Sequence, residues 1–79
     1  MARLPVISGE QAIRAFKRDG WLARRRVGSH VIMEKEGFEA TLSIPLHREL
    51  RPGTLRALIR CAGLTVNEFC RLLKGPLLA

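Results

Sequence analysis

Gly28-Ser29-His30 is the part of this sequence equipped for chemistry. It lies between Arg24-Arg25-Arg26 and the apolar run Val31-Ile32-Met33, so a turn hands a histidine to the start of a strand, beside a block of fixed positive charge. An unperturbed imidazole titrates near pH ~6.5 and therefore both takes and gives a proton near neutrality. Guanidinium forks grip phosphate oxygens two at a time. A proton-transfer group next to a phosphate site is the minimum equipment for cutting RNA. Arg24, Arg25 and Lys35 are the candidates for holding phosphate, with solvated strand ends as the alternative reading. Ser29 either orients the phosphate or simply forms the turn, as serine commonly does.

Alternation along the second strand gives His30 an orientation. Val31 and Met33 share one side; His30, Ile32 and Glu34 share the other. The more apolar pair belongs on the core, which sends His30 to the open face or its edge. With the opposite register, His30 becomes a buried, hydrogen-bonded histidine without a chemical role. Other residues carry similar pairs of readings. His47 approaches a ligand or fixes the turn that follows it. Arg56 and Arg60, four residues apart, form a basic helical face with Arg51 that either meets RNA or an acidic protein or is merely solvated. Trp21 and Phe38 are expected to pack in the core rather than stack on bases. His30 and His47 lack the spaced carboxylates or thiols of a usual ligand set, so no metal is expected.

Positioning these groups requires a scaffold, and its elements follow from spacing. Ser8 with Gln11 makes a capping box, and Ile7 with Ala12 a hydrophobic staple, which opens a helix whose inner face holds Ala12, Ile13 and Phe16. Gly20 ends it. Three strands follow, at 21–27, 30–35 and 38–44, joined by turns at Gly28-Ser29 and Glu36-Gly37. The third strand alternates Phe38, Ala40, Leu42 and Ile44 with polar residues, and Pro45 stops it. Pro52-Gly53-Thr54 opens a helix with Leu55, Leu58, Ile59 and Ala62 on one side and Gly63 at its end. Thr65 with Glu68 caps a last helix whose stripe is Val66, Phe69, Cys70 and Leu73. The expected fold is α+β, with a three-stranded antiparallel meander covered on one face by helices in the order α-β-β-β-α-α.

The bulk properties agree with a nucleic-acid partner. Seventy-nine residues make one domain, spanning 1–79 with a core at about 5–73 and a loose tail at 75–79. Such a chain buries only about 60–65% of its unfolded surface, too little for a deep pocket with a large cofactor. Eleven arginines and three lysines face seven acids, a net charge of +7 that favours nucleic acid or an acidic protein. The start of the chain lacks the apolar run of a signal peptide or membrane span, which points to the cytoplasm. Cys61 and Cys70 form no C-x-x-C pair and read as small core residues on helices.

The sequence also resembles a known family. Gly20-Trp21, Arg25, Gly28-Ser29-His30, Ile44-Pro45-Leu46-His47, Pro52-Gly53-Thr54-Leu55, Ala62-Gly63-Leu64-Thr65 and Glu68-Phe69 together resemble the HicA toxins of HicA–HicB toxin–antitoxin systems. The likeness covers roughly residues 5 to 73. It implies a fold similar to the double-stranded RNA-binding domain, ribosome-independent cleavage of mRNA, and a catalytic histidine that falls on His30. It also implies a HicB-like antitoxin as partner. Met33 stands where the family often has an aromatic residue, and Arg26-Val27 replaces polar residues common before the motif. The resulting expectation is metal-independent cleavage of single-stranded mRNA, the 2′-hydroxyl attacking its own phosphate. A non-catalytic RNA-binding module of the same fold is the alternative. A DNA-binding helix-turn-helix over residues 54–73 is disfavoured because the last helix offers only Arg71 and Lys74 as cations.

Overall fold

Residues 3–75 are described by a computed structural model, and within them the chain runs helix, three strands, helix, helix. The first helix, α1 (Gly9–Arg18), starts where the capping box places it. The Ser8 hydroxyl accepts the Gln11 amide at 3.1 Å, and the Gln11 side chain accepts the Ser8 amide at 2.9 Å. Satisfying these otherwise orphaned donors stabilises the helix start by about 1 kcal/mol. Gly20, at φ +100°, turns the chain out of α1. The inner face of α1 is Ala12, Ala15 and Phe16, with Ile13 only half-buried.

Three antiparallel strands follow in the spatial order β1-β2-β3: β1 (Leu22–Val27), β2 (His30–Glu34) and β3 (Leu42–Pro45). The turn between β1 and β2 has two residues, with Gly28 at φ +60° and Ser29 at negative φ, which is the II′ geometry suited to the twist of a hairpin. The third strand is shorter than alternation predicts. The chain turns at Gly37, φ +89°, with the Phe38 amide donating to the Lys35 carbonyl at 3.0 Å. Phe38 then leaves the strand line and lays its ring on Trp21, centroids 5.3 Å apart, with Lys35 Nζ 5.0 Å above it. Aromatic pairing thus wins over alternation: Ala40 and Thr41 are left exposed, and the ladder begins only at Leu42. Phe38 itself remains 40% exposed, so it is a cover over Trp21 rather than core. Pro45 is the last residue of the ladder.

The helices α2 (Pro52–Cys61) and α3 (Val66–Lys74) join α1 on one face of the sheet. Trp21, Phe16, Phe69, Met33, Leu42, Ile44 and Leu55 are fully buried between the layers, with Phe16 and Phe69 4.9 Å apart at the junction of α1 and α3. Thr65 and Glu68 form the second capping box. The two cysteines lie on helices, but neither is core. Cys61 is exposed and Cys70 half-buried, because Leu58, Ile59 and Phe69 hold the inward positions of their helices. The expected tail at Leu77-Leu78-Ala79 falls outside the described residues. No helix among those described is long and apolar enough to cross a membrane.

Candidate nucleic-acid interface

His30 opens β2 directly after the tight turn and is exposed. Residues paired across an antiparallel sheet share a face, so the register decides what stands beside it. His30 lies opposite Val27 on one side and Pro45 on the other; Ile32 lies opposite Arg25 and Ser43. Met33 is fully buried with Leu42 under the helices. His30, Ile32 and Glu34 therefore occupy the face that the helices leave open, as alternation predicts.

The arginine run does not follow simple alternation. Ala23 pairs with Met33 but Arg25 with Ile32, so Arg24 is an extra residue in β1, a β-bulge. Strict alternation from Ala23 would send Arg25 and Val27 to the helix side. The bulge resets the phase, and Arg25 and Val27 arrive on His30's face. Arg25 is then the diagonal cross-strand neighbour of His30, at a Cα separation of about 7–8 Å that a long side chain spans. Arg24 Nε lies 3.4 Å from Glu34 Oε1, at the far end of the sheet. Arg26 lies opposite Val31 and curls back, its Nε donating to the Gly28 carbonyl at 2.9 Å, which holds the turn in front of His30.

The sequence-derived candidates are thus divided. His30, Ser29 and Arg25 are gathered at one end of the open face. Arg24 shares the face but is drawn toward Glu34. Lys35 is not brought to the site: it lies just beyond the opposite end of β2, and its Nζ pairs with Asp19 at 3.1 Å. Five residues of strand separate it from His30, about 16 Å. His47 stands in the loop after β3, where its carbonyl accepts the Gly9 amide at 2.9 Å. Its backbone fixes the turn. Among the described residues no three His, Cys, Asp or Glu side chains gather as a metal-ligand cluster.

Two features of the site have no counterpart in the sequence-based expectations. Gly9, the first residue of α1, is buried against the end of β3: a side-chain carbon there would meet the Pro45 carbonyl oxygen, with the Pro45 carbonyl carbon at 3.0 Å and Leu46 Cα at 3.2 Å. Its amide also carries the bond to His47. Together with the 2.7 Å bond from the Leu46 amide to the Ser29 carbonyl, this contact fastens the helix, the strand end and the turn that presents His30. Ser8 immediately before Gly9 was legible as a cap; the need for a missing side chain at Gly9 was not. The second feature is apolar exposure. Leu22 and Val27, both on the open face by register, are 53% and 55% exposed, and Ile32 between them is half-buried. The open face is therefore mixed, an aliphatic strip flanked by arginines and ending at an imidazole.

Comparison with known proteins finds relatives of this fold. The chain matches the family model described as the HicA toxin of bacterial toxin-antitoxin over residues 9–64. It is similar to a solved chain titled "Toxin-Antitoxin complex from Streptococcus pneumoniae", at 34% identity and a TM-score of 0.65. That likeness covers 73% of this chain and 98% of the other. No curated protein matches it significantly.

Proposed function

Because this chain belongs to the HicA toxin family of bacterial toxin–antitoxin systems, we propose that it exerts its toxicity as an endoribonuclease that cuts mRNA in the cytoplasm, with His30 as its catalytic residue. A HicB-like antitoxin neutralises it. The observation that carries this reading is the exposed His30 on the open sheet face with Arg25 as its diagonal neighbour.

The chemistry is an internal transesterification. The ribose 2′-oxygen attacks the adjacent phosphorus; a 2′-O–P bond forms and the P–O5′ bond breaks, leaving a 2′,3′-cyclic phosphate and a 5′-hydroxyl. His30 takes the 2′-hydroxyl proton as base, or its protonated form gives one to the departing 5′-oxygen. Such proton transfer contributes about 10²–10⁴-fold. Arg25 neutralises the charge that builds on the phosphate oxygens in the transition state. Ser29, in the turn, lies beside the same phosphate. DNA lacks the attacking oxygen and is spared. No metal is required in this scheme.

The test is a labelled transcript and DNA of the same sequence incubated with purified protein, with and without EDTA, and read on a denaturing gel. RNA fragments ending in cyclic phosphate are expected, in both conditions, with DNA intact. Loss of cleavage in EDTA removes the metal-free mechanism; binding without any cleavage leaves the non-catalytic RNA-binding module. Arginine substitutions refine the assignment. Arg25→Ala is expected to lower turnover about 10²-fold, the scale of one lost oxyanion donor. Arg24→Ala should change it little, since an exposed ion pair with Glu34 is worth about 0–1 kcal/mol at most. Equal losses in both variants would refute the special placement of Arg25.

A further inference from the structure

We infer that the outer face of α2 is a second phosphate-binding surface, which takes the stretch of RNA that runs on from the His30 site; this rests on the reading of the chain as acting on RNA. α2 begins near the end of the molecule that carries His30: the Leu50 amide donates to the Ile7 carbonyl at 2.8 Å, two residues before Gly9, which packs on Pro45, and Pro45 lies opposite His30 in the sheet. Because α2 packs on the other face of the sheet, the RNA passes round the β3 edge to reach it. The helix runs away from the His30 end: just beyond its other terminus, the Cβ position of Gly63 lies 3.5 Å from the Phe38 ring, which sits over the opposite end of the sheet. Arg51 stands at the N-cap of α2, and Arg56 and Arg60 project one turn apart from its exposed side. The rise between those two is about 6 Å. Both also line an open groove of about 340 Å³ between α2 and α3, together with Ile59, Gly63, Leu64, Thr65 and Val66.

The surroundings select nucleic acid over protein. Among the described residues the ion pairs are Arg24–Glu34 and Lys35–Asp19, so none of the three arginines is neutralised by a carboxylate. The other exposed residues of the same helix are Pro52, Gly53, Ala57 and Cys61, none of them a large apolar side chain. The large exposed apolar side chains, Val6, Leu22, Val27 and Phe38, are all elsewhere. A protein partner binds through protruding apolar and aromatic anchors at the centre of its interface; the apolar residues of this groove, Ile59, Leu64 and Val66, are buried or half-buried and do not protrude. Unpaired guanidinium groups on a surface without anchors suit a phosphate backbone, which needs charge and spacing but no pocket.

The test measures binding apart from cleavage. His30→Ala protein is titrated with labelled oligouridine of about 16 and about 4 nucleotides, lengths that bracket the footprint of a small single-strand-binding fold. The same is done after adding Arg56→Gln and Arg60→Gln. The long oligonucleotide should bind about tenfold more weakly to the triple variant, and its slope of log K against log salt should fall by about 1.4, two single-strand phosphate contacts. The short one should bind both proteins alike. In protein retaining His30, the two glutamines should raise KM for a long transcript and leave kcat unchanged. Unchanged slopes overturn the inference, as does a variant that loses antitoxin binding while keeping RNA affinity. Failure of the nuclease reading shows separately, as intact RNA with wild-type protein.

Discussion

Replacing His30 by alanine is expected to lower RNA cleavage by about 10²–10⁴-fold and to abolish growth arrest when the protein is induced, while the fold and the antitoxin complex survive. The size follows from removing a general acid–base group from the proposed reaction. The selectivity follows from position. His30 is exposed at the first residue of β2, so its side chain contributes little to the core, and an exposed substitution shifts stability by no more than about 0.5 kcal/mol. The measurements are a denaturing gel of a labelled transcript, circular dichroism with a melting curve, and co-purification with antitoxin. Full cleavage by a folded His30→Ala protein would remove the imidazole from the mechanism, and with it the link between the open face and the chemistry. A weaker loss accompanied by a lowered melting temperature would point to a positioning role for the ring.

The second large effect concerns stability. Gly9→Ala is expected to destabilise the fold by about 3 kcal/mol, the upper range for forcing an extra carbon into a closed contact. A domain of this size has roughly 4–12 kcal/mol in total, and each kcal/mol lost lowers Tm by about 4–8 °C. The added methyl meets backbone of Pro45 and Leu46, which cannot swing aside as a side chain would. α1 must lift from β3, and the Gly9–His47 bond stretches with it. Gly53→Ala is the matched control: it also lies in the first turn of a helix, but the new carbon meets nothing within 4 Å. That change should be neutral or slightly stabilising, through lost freedom of the unfolded chain. Similar melting temperatures for the two alanine variants would contradict the close approach. Because the clash lies at the strand end that faces His30, Gly9→Ala should also reduce activity at temperatures where it remains folded.

Much of the architecture is legible before folding because it is written in local chemistry. Both capping boxes, the glycine stops at 20 and 63 and the Gly28-Ser29 turn each depend on residues within a few positions, and all occur as spacing predicts. What is not legible depends on partners far away in the chain. Phe38 belongs to an alternating pattern, yet Trp21, seventeen positions earlier, captures its ring and ends the pattern. Lys35 ends the second predicted strand, so its distance from His30 is countable, but its pairing with Asp19 and the Phe38 ring is not. The bulge at Arg24 changes the face of every residue after it in β1, and nothing in Arg-Arg-Arg says which of three identical side chains is the extra one. His30's own face was legible because Val31 and Met33 have no such competition. Gly9 illustrates a different blind spot, since periodicity reads the side chains that are present.

β1 is an edge strand of the sheet, and all six of its residues are exposed. A free row of amide and carbonyl groups is an invitation to pair with another copy. Here an in-register pairing would align two sets of three arginines at the spacing of adjacent strands, about 4.8 Å, and like charges opposed across strands repel. The same run of cations that can welcome an anion thus discourages fibril-like self-stacking of the sheet, a safeguard that neutralising Arg24, Arg25 and Arg26 together would remove.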